Sequence, residues 1–122
     1  MRCSLFTIAF VPITVLAQGS FPTEFPEDSA PVEATALKQF LTGKTLIGKP
    51  VVGPEFRIQY KESYAFFNSS STNDSGRWRT EGSSVCNDWK TIRASCSEMR
   101  LSGQALYVKR ANNGEVVRLH EQ

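Results

Sequence analysis

Cys86 and Cys96 frame Trp89, follow a Gly76-Arg77-Trp78 triplet, and sit downstream of an N-terminal segment laid out like an export signal. In an exported chain an even pair of cysteines reads as a disulfide. Two strands joined by a turn near Lys90-Thr91-Ile92 set Cys86 opposite Cys96, at the short Cα separation that a disulfide requires. The chain is therefore expected to be a small, clamped, antiparallel β-domain. Closing a loop of about eleven residues stabilises it by roughly 2.5–3 kcal/mol on a chain-entropy estimate. The spacing lacks the Cys-x-x-Cys of a redox pair, and two sulfurs with the single distant His120 make no closed zinc site.

The compartment is read from the start of the chain. Met1-Arg2-Cys3-Ser4 is a short basic opening, Leu5 to Leu16 is an apolar run, and Val15-Leu16-Ala17 supplies small residues before a cut. This pattern predicts a signal peptide over 1–17, removed after Ala17. The run falls short of the ~20 residues that span a bilayer, and no later stretch is a spanning candidate. The mature chain is expected in the periplasm or the medium. Cleavage removes Cys3 and leaves only the 86/96 pair.

Residues 18–33 carry Pro22, Pro26 and Pro31 among acidic residues and read as a flexible, extended tether. Ala34, Leu37, Phe40 and Leu41 then recur at helical spacing, and Gly43 ends the pattern. From there to residue 120 the chain alternates like strands. Phe56 to Lys61 is the clearest case, followed by Tyr64 to Phe67, Gly76 to Glu81, Ser84 to Trp89, Arg93 to Leu101, Ala105 to Arg110 and Glu115 to Leu119. Asn68 to Ser75 is uniformly polar and reads as a flexible loop, while Asn112-Asn113-Gly114 predicts a type I′ hairpin turn. The fold class is mainly β: one antiparallel meander curled into a small open barrel or curved sheet, with one short N-terminal helix across it. A β-sandwich is the alternative. A single domain over 34–120 has a small core, for which a covalent clamp matters.

The layout Leu41-Thr42-Gly43-Lys44-Thr45, then Gly76-Arg77-Trp78, then Cys86-Asn87-Asp88-Trp89 and Cys96, resembles that of a loose group of small exported bacterial proteins of the α-proteobacterial type. The resemblance covers about Leu41 to Leu119. It implies an exported β-domain and carries no activity and no catalytic residues.

Composition excludes several functions. The chain has 14 Lys+Arg against 12 Asp+Glu, and loss of Arg2 with the signal leaves 13 against 12. That is not the basic footprint of a nucleic-acid binder. Gly43-Lys44-Thr45 lacks the upstream glycine of a phosphate loop, since Lys38 stands there. Asn68 and Asn73 each begin an N-glycosylation sequon. Arg77, Arg79, Lys90, Arg93 and Arg100 read as solvated strand faces or as a basic stripe for an anionic partner. No catalytic, cofactor-binding or metal-binding set stands out, and the chain is expected not to be an enzyme. The candidate ligand contacts are Trp89, Trp78, Arg93 and Asp88. Trp78 beside the clamp also reads as core, and an enzyme would need Trp89, Asp88 and Arg93 to converge on one pocket. The expected function is non-catalytic binding of a small apolar ligand, a glycan or a protein, inhibition included. An envelope or surface role with an envelope-protein partner is the second reading.

Overall fold

Alternation of apolar and polar side chains decides the architecture. The computed structural model describes residues 20–122; the segment expected to be a signal peptide, with Cys3, lies outside them. Strand β1 (Ala30–Pro31) and helix α1 (Ala34–Leu41) precede a run of strands: β2 (Thr45–Gly48), β3 (Phe56–Tyr60), β4 (Tyr64–Ser69), β5 (Asn73–Glu81) and β6 (Ser84–Trp89). The run ends with β7 (Ser95–Ser102), β8 (Ala105–Lys109) and β9 (Val116–Glu121). Each of β2 to β9 pairs antiparallel with its neighbour in sequence, and β2 also pairs with β9 through Ile47 and His120. This ladder closes eight strands into an up-and-down barrel. The barrel is closed rather than open, so the meander has no long free edge, and the sandwich alternative falls away.

Strand β7 carries the seam. Its first half, Ser95 to Asn87 through Glu98 to Ser84, pairs with β6. Its second half, Met99 to Ser102, pairs with β8. Where β6 has ended, β1 takes its place against Arg100 and Leu101. No ladder joins Ser95–Glu98 to β8 among the described residues, so β7 and β8 part at one end of the barrel.

The opposite end is sealed by α1. Glu33 caps the helix, its carboxylate accepting from the Thr35 and Ala36 amides. Leu37 and Leu41, one turn apart, are fully enclosed. Burial of each contributes about 1.5–3 kcal/mol. The Thr80 hydroxyl donates to the Ala34 carbonyl at 2.8 Å and ties the helix to β5. Gly43, at φ +86°, turns the chain out of the helix so that its N–H reaches the Tyr60 carbonyl at 2.8 Å. The Leu37, Phe40 and Leu41 spacing thus marks a plug, not a helix lying across a curved sheet.

Two expected loops are structured differently. Asn68 to Ser75 is mostly strand: β4 runs to Ser69, β5 begins at Asn73, and Asn68 pairs with Asn73. The Ser69 hydroxyl accepts from the Ser71 and Thr72 amides, which turns the chain within three residues. Polarity here reflects position at the barrel rim, not irregular backbone. The Asn112-Asn113-Gly114 turn is not type I′. Gly114 alone in this turn has positive φ, +76°, its N–H reaches the Arg110 carbonyl, and the Arg110 N–H reaches the Glu115 carbonyl. Both asparagines keep negative φ, and Asn113 Oδ1 accepts from the Glu115 amide at 2.9 Å.

The proline-rich segment, expected as a tether, is tied to the barrel at several points. The Pro22 carbonyl accepts from the Val116 amide, the Asp28 carboxylate accepts from the Ser102 hydroxyl, and Arg100 stacks on Phe25. Proline at β1 removes a donor from an outermost strand, where none is missed. No helix among the described residues is long and apolar enough to cross a membrane.

Candidate functional site

The barrel interior divides into a packed half and an open half. Near α1, Leu46, Leu106 and Trp78 join Leu37 and Leu41 in the core. Trp78 meets Tyr60 edge-on at 4.9 Å between ring centroids, and its indole N–H donates to the Lys61 carbonyl at 2.8 Å. Above Tyr60 the strands enclose a cavity of about 560 Å³. Tyr60, Val85 and Met99 lie at its base, Ile58, Phe67 and Trp89 form its wall, and Arg93, Arg110 and Asn112 stand at the mouth. This volume falls within the ~300–1,000 Å³ of small-molecule sites.

Strand alternation explains who faces in. On β6, Val85, Asn87 and Trp89 line the cavity, while Cys86 and Asp88 take the other face. On β5, Asp74, Gly76 and Trp78 share the inward face. A Cβ at Gly76 would stand 2.0 Å from the Asp88 carbonyl oxygen, so glycine lets β5 and β6 approach where they form the cup wall. Gly48 on β2 serves differently: it leaves room for the Phe56 ring, which covers it.

Asn87 is the chemically distinctive residue. It is 8% exposed, and its Oδ1 is enclosed without a hydrogen-bond partner among the described residues. A buried carbonyl left unpaired costs about 1–3 kcal/mol. A donor reaching into the cavity would satisfy this oxygen. Ser95 and Ser97 of β7 line the same wall.

The rim loops are held by two carboxylates. Asp74 accepts from the backbone amides of Ser75, Lys90, Thr91 and Ile92 at 2.6–3.2 Å, fixing the β6–β7 loop that carries Arg93. Desolvation opposes its ionisation, but the Ile92, Thr91 and Ser75 amides outweigh that and hold its pKa below the usual carboxylate range. Glu115, 1% exposed, accepts from Val51 at 2.7 Å and Val52 at 3.1 Å, fastening the β2–β3 loop to the β8–β9 turn. The Arg110 guanidinium donates to the Val52 carbonyl at 2.8 Å and lies over the Phe56 ring. Neither carboxylate is marked by a motif. Each is recognised only once the loops it holds are in place.

The four candidate contacts separate. Trp89 and Arg93 come together at the cavity, with Trp89 edge-on to Phe67 at 5.9 Å. Trp78 lies behind Tyr60 at the closed end and is core. Asp88 points outward and pairs with Arg79 at 3.3 Å, so Trp89, Asp88 and Arg93 do not converge. Neighbouring residues on one strand cannot share a face, and the same rule places Asn87 beside Trp89, a signal available two residues upstream. Of the cationic stripe, Arg79 pairs with Glu81 and Asp88, and Arg100 with Glu98. The outward Tyr64 ring packs on Phe66 and carries Lys90 above it.

The Cys86–Cys96 disulfide forms between directly paired residues, with Cα atoms 3.9 Å apart. A Glu81 carboxylate oxygen stands 3.6 Å from Cys86 Sγ. The oxidised sulfur has no proton to donate and is no thiolate, so Glu81, Cys86 and Cys96 form a covalent clamp with an acidic neighbour, not a metal site. No family model, curated protein or solved structure matches the chain.

Proposed function

We propose that this protein is a non-catalytic binding module that holds one small, largely apolar molecule inside its barrel. The observation that carries this reading is the Asn87 carbonyl, enclosed and unpaired among the described residues in the wall of a cavity open at one end and plugged by α1 at the other. Closed eight-stranded barrels either fill with side chains or hold one small ligand, and here filling stops at Tyr60. Trp89 gives an optical report from the wall. Titration with anilinonaphthalene sulfonate is expected to saturate at one probe per chain, with energy transfer from Trp89. Ser97→Phe, which adds a ring to the cup, is expected to abolish the signal while the fold persists. Equal binding to both proteins would refute the reading.

We also infer that the chain is exported and loses residues 1–17. The disulfide supports this, because such bonds persist in oxidising compartments. Expression in a secreting host is expected to yield a chain beginning at Gln18 and two hydrogens lighter than its reduced form. A chain that retains Met1 and free thiols would overturn the inference.

A further inference from the structure

We propose that the cup selects a small organic anion whose apolar body carries a hydrogen-bond donor part-way along it, a medium-chain hydroxy acid being the simplest example. This rests on the reading of the barrel as a ligand-binding module and adds the ligand's chemistry. The argument has a charge component, a polar component and a shape component.

The cavity has a sign. Among its described lining residues, Arg93 and Arg110 are cationic and none is acidic. Arg93 stands exposed at the rim without an ion-pair partner among the described residues. Arg110 is anchored by the Val52 carbonyl and the Phe56 face, which fixes its guanidinium at the mouth. Guanidinium groups bind carboxylates through charge-assisted, often paired hydrogen bonds. The two guanidinium groups at the mouth would repel a cationic ligand.

The polar group inside is specific too. Asn87 lies two residues deeper along β6 than Trp89, about 7 Å further in at the rise of a strand. Its enclosed atom is an acceptor and calls for a donor, a hydroxyl or N–H set in from the anionic end. A site that leaves a buried polar group unpaired rejects an analogue lacking the complementary group. Below that level Val85 and Met99 give apolar contact around the tail, Tyr60 stands at the base, and α1 limits its length.

The test is calorimetric titration with 7-hydroxydecanoate, whose hydroxyl is set in from the carboxylate by a distance that matches the depth of Asn87, with decanoate and with decyltrimethylammonium on the mature, oxidised protein. The hydroxy acid is expected to bind most tightly, decanoate at least tenfold more weakly, and the ammonium not measurably. Asn87→Leu, of similar volume, is expected to erase the difference between the acids by weakening the hydroxy acid alone. Its thermal midpoint without ligand should equal or exceed that of the parent, because an unpaired carbonyl has been removed. Arg93→Gln is expected to weaken both acids by a similar factor and to flatten their salt dependence. Equal affinity for the two acids, or for acid and ammonium, overturns the proposal while leaving the barrel a binding module. A lower midpoint for Asn87→Leu assigns the amide a structural role and overturns it as well. Failure of all three probes to bind the parent protein overturns both the proposal and the binding-module reading.

Discussion

Gly76→Ala tests whether the cup wall depends on the close approach of β5 and β6. An alanine Cβ would stand 2.0 Å from the Asp88 oxygen, 2.7 Å from its carbonyl carbon and 2.9 Å from Trp89 Cα. Ordinary contact begins at 3.4 Å, so the strands must part by about 1.4 Å, the difference between 3.4 and 2.0 Å. The obstacle is the backbone of β6, and a closed barrel cannot relieve it by swinging a free edge. Overpacking of this kind costs typically 1–3 kcal/mol. Stretching two ladder hydrogen bonds adds about 1 kcal/mol each. A total of about 3–5 kcal/mol corresponds to a fall of roughly 15–30 °C in Tm for a domain of this size. The assay is thermal unfolding by circular dichroism with the disulfide intact. Gly82→Ala is the control: it faces open space at φ +54°, so it costs only the left-handed strain of about 1–2 kcal/mol. A Gly76→Ala protein that melts with or above Gly82→Ala would refute the steric account of the Gly76-Arg77-Trp78 motif.

Other outcomes follow from the same geometry. Reduction, or Cys86→Ser with Cys96→Ser, is expected to lower stability by about 2.5–3 kcal/mol and to leave probe binding intact, since the clamp lies on the outer face; denaturant melts with and without reductant measure this. Leu37→Ala empties the plug and should cost about 2–5 kcal/mol, read by chemical unfolding, with loss of the enclosed cup. The Asp74 pKa is lowered on folding, so its contribution is complete above the ordinary value of 3.8 and disappears only as pH falls through the lower folded value. Exchange protection of the Lys90, Thr91 and Ile92 amides should therefore be the same at about pH 5 as at neutrality, fall only in stronger acid, and be lost at all pH values in Asp74→Ala.

The helix and most strands were legible because their signals are local. Leu37 and Leu41 mark one face of a turn, and Phe56 to Tyr60 alternates without error. The polar run from Asn68 to Ser75 misled because composition reports solvent contact, and a strand at a barrel rim is as wet as a loop. The Asn-Gly turn misled because competing hydrogen bonds, Asn113 to Glu115 and Glu115 to Val51 and Val52, outweigh a local preference. Trp89 and Arg93 were found at the site because an aromatic and a cation close to a turn are visible in the chain. Asn87, Asp74 and Glu115 were not, since an amide or carboxylate acquires meaning only from what surrounds it.

The alternation, the existence of the short helix and the pairing of Cys86 with Cys96 are legible in the chain itself. These are set within a turn or a hairpin, where a few neighbouring residues supply the whole interaction. Only the folded chain shows that β2 meets β9, that β7 and β8 part at the rim, and that the Asn87 Oδ1 is enclosed beneath Arg93 and Arg110 with no partner among the described residues. Closure and enclosure join residues far apart in the chain, and no local preference encodes which space is left between them.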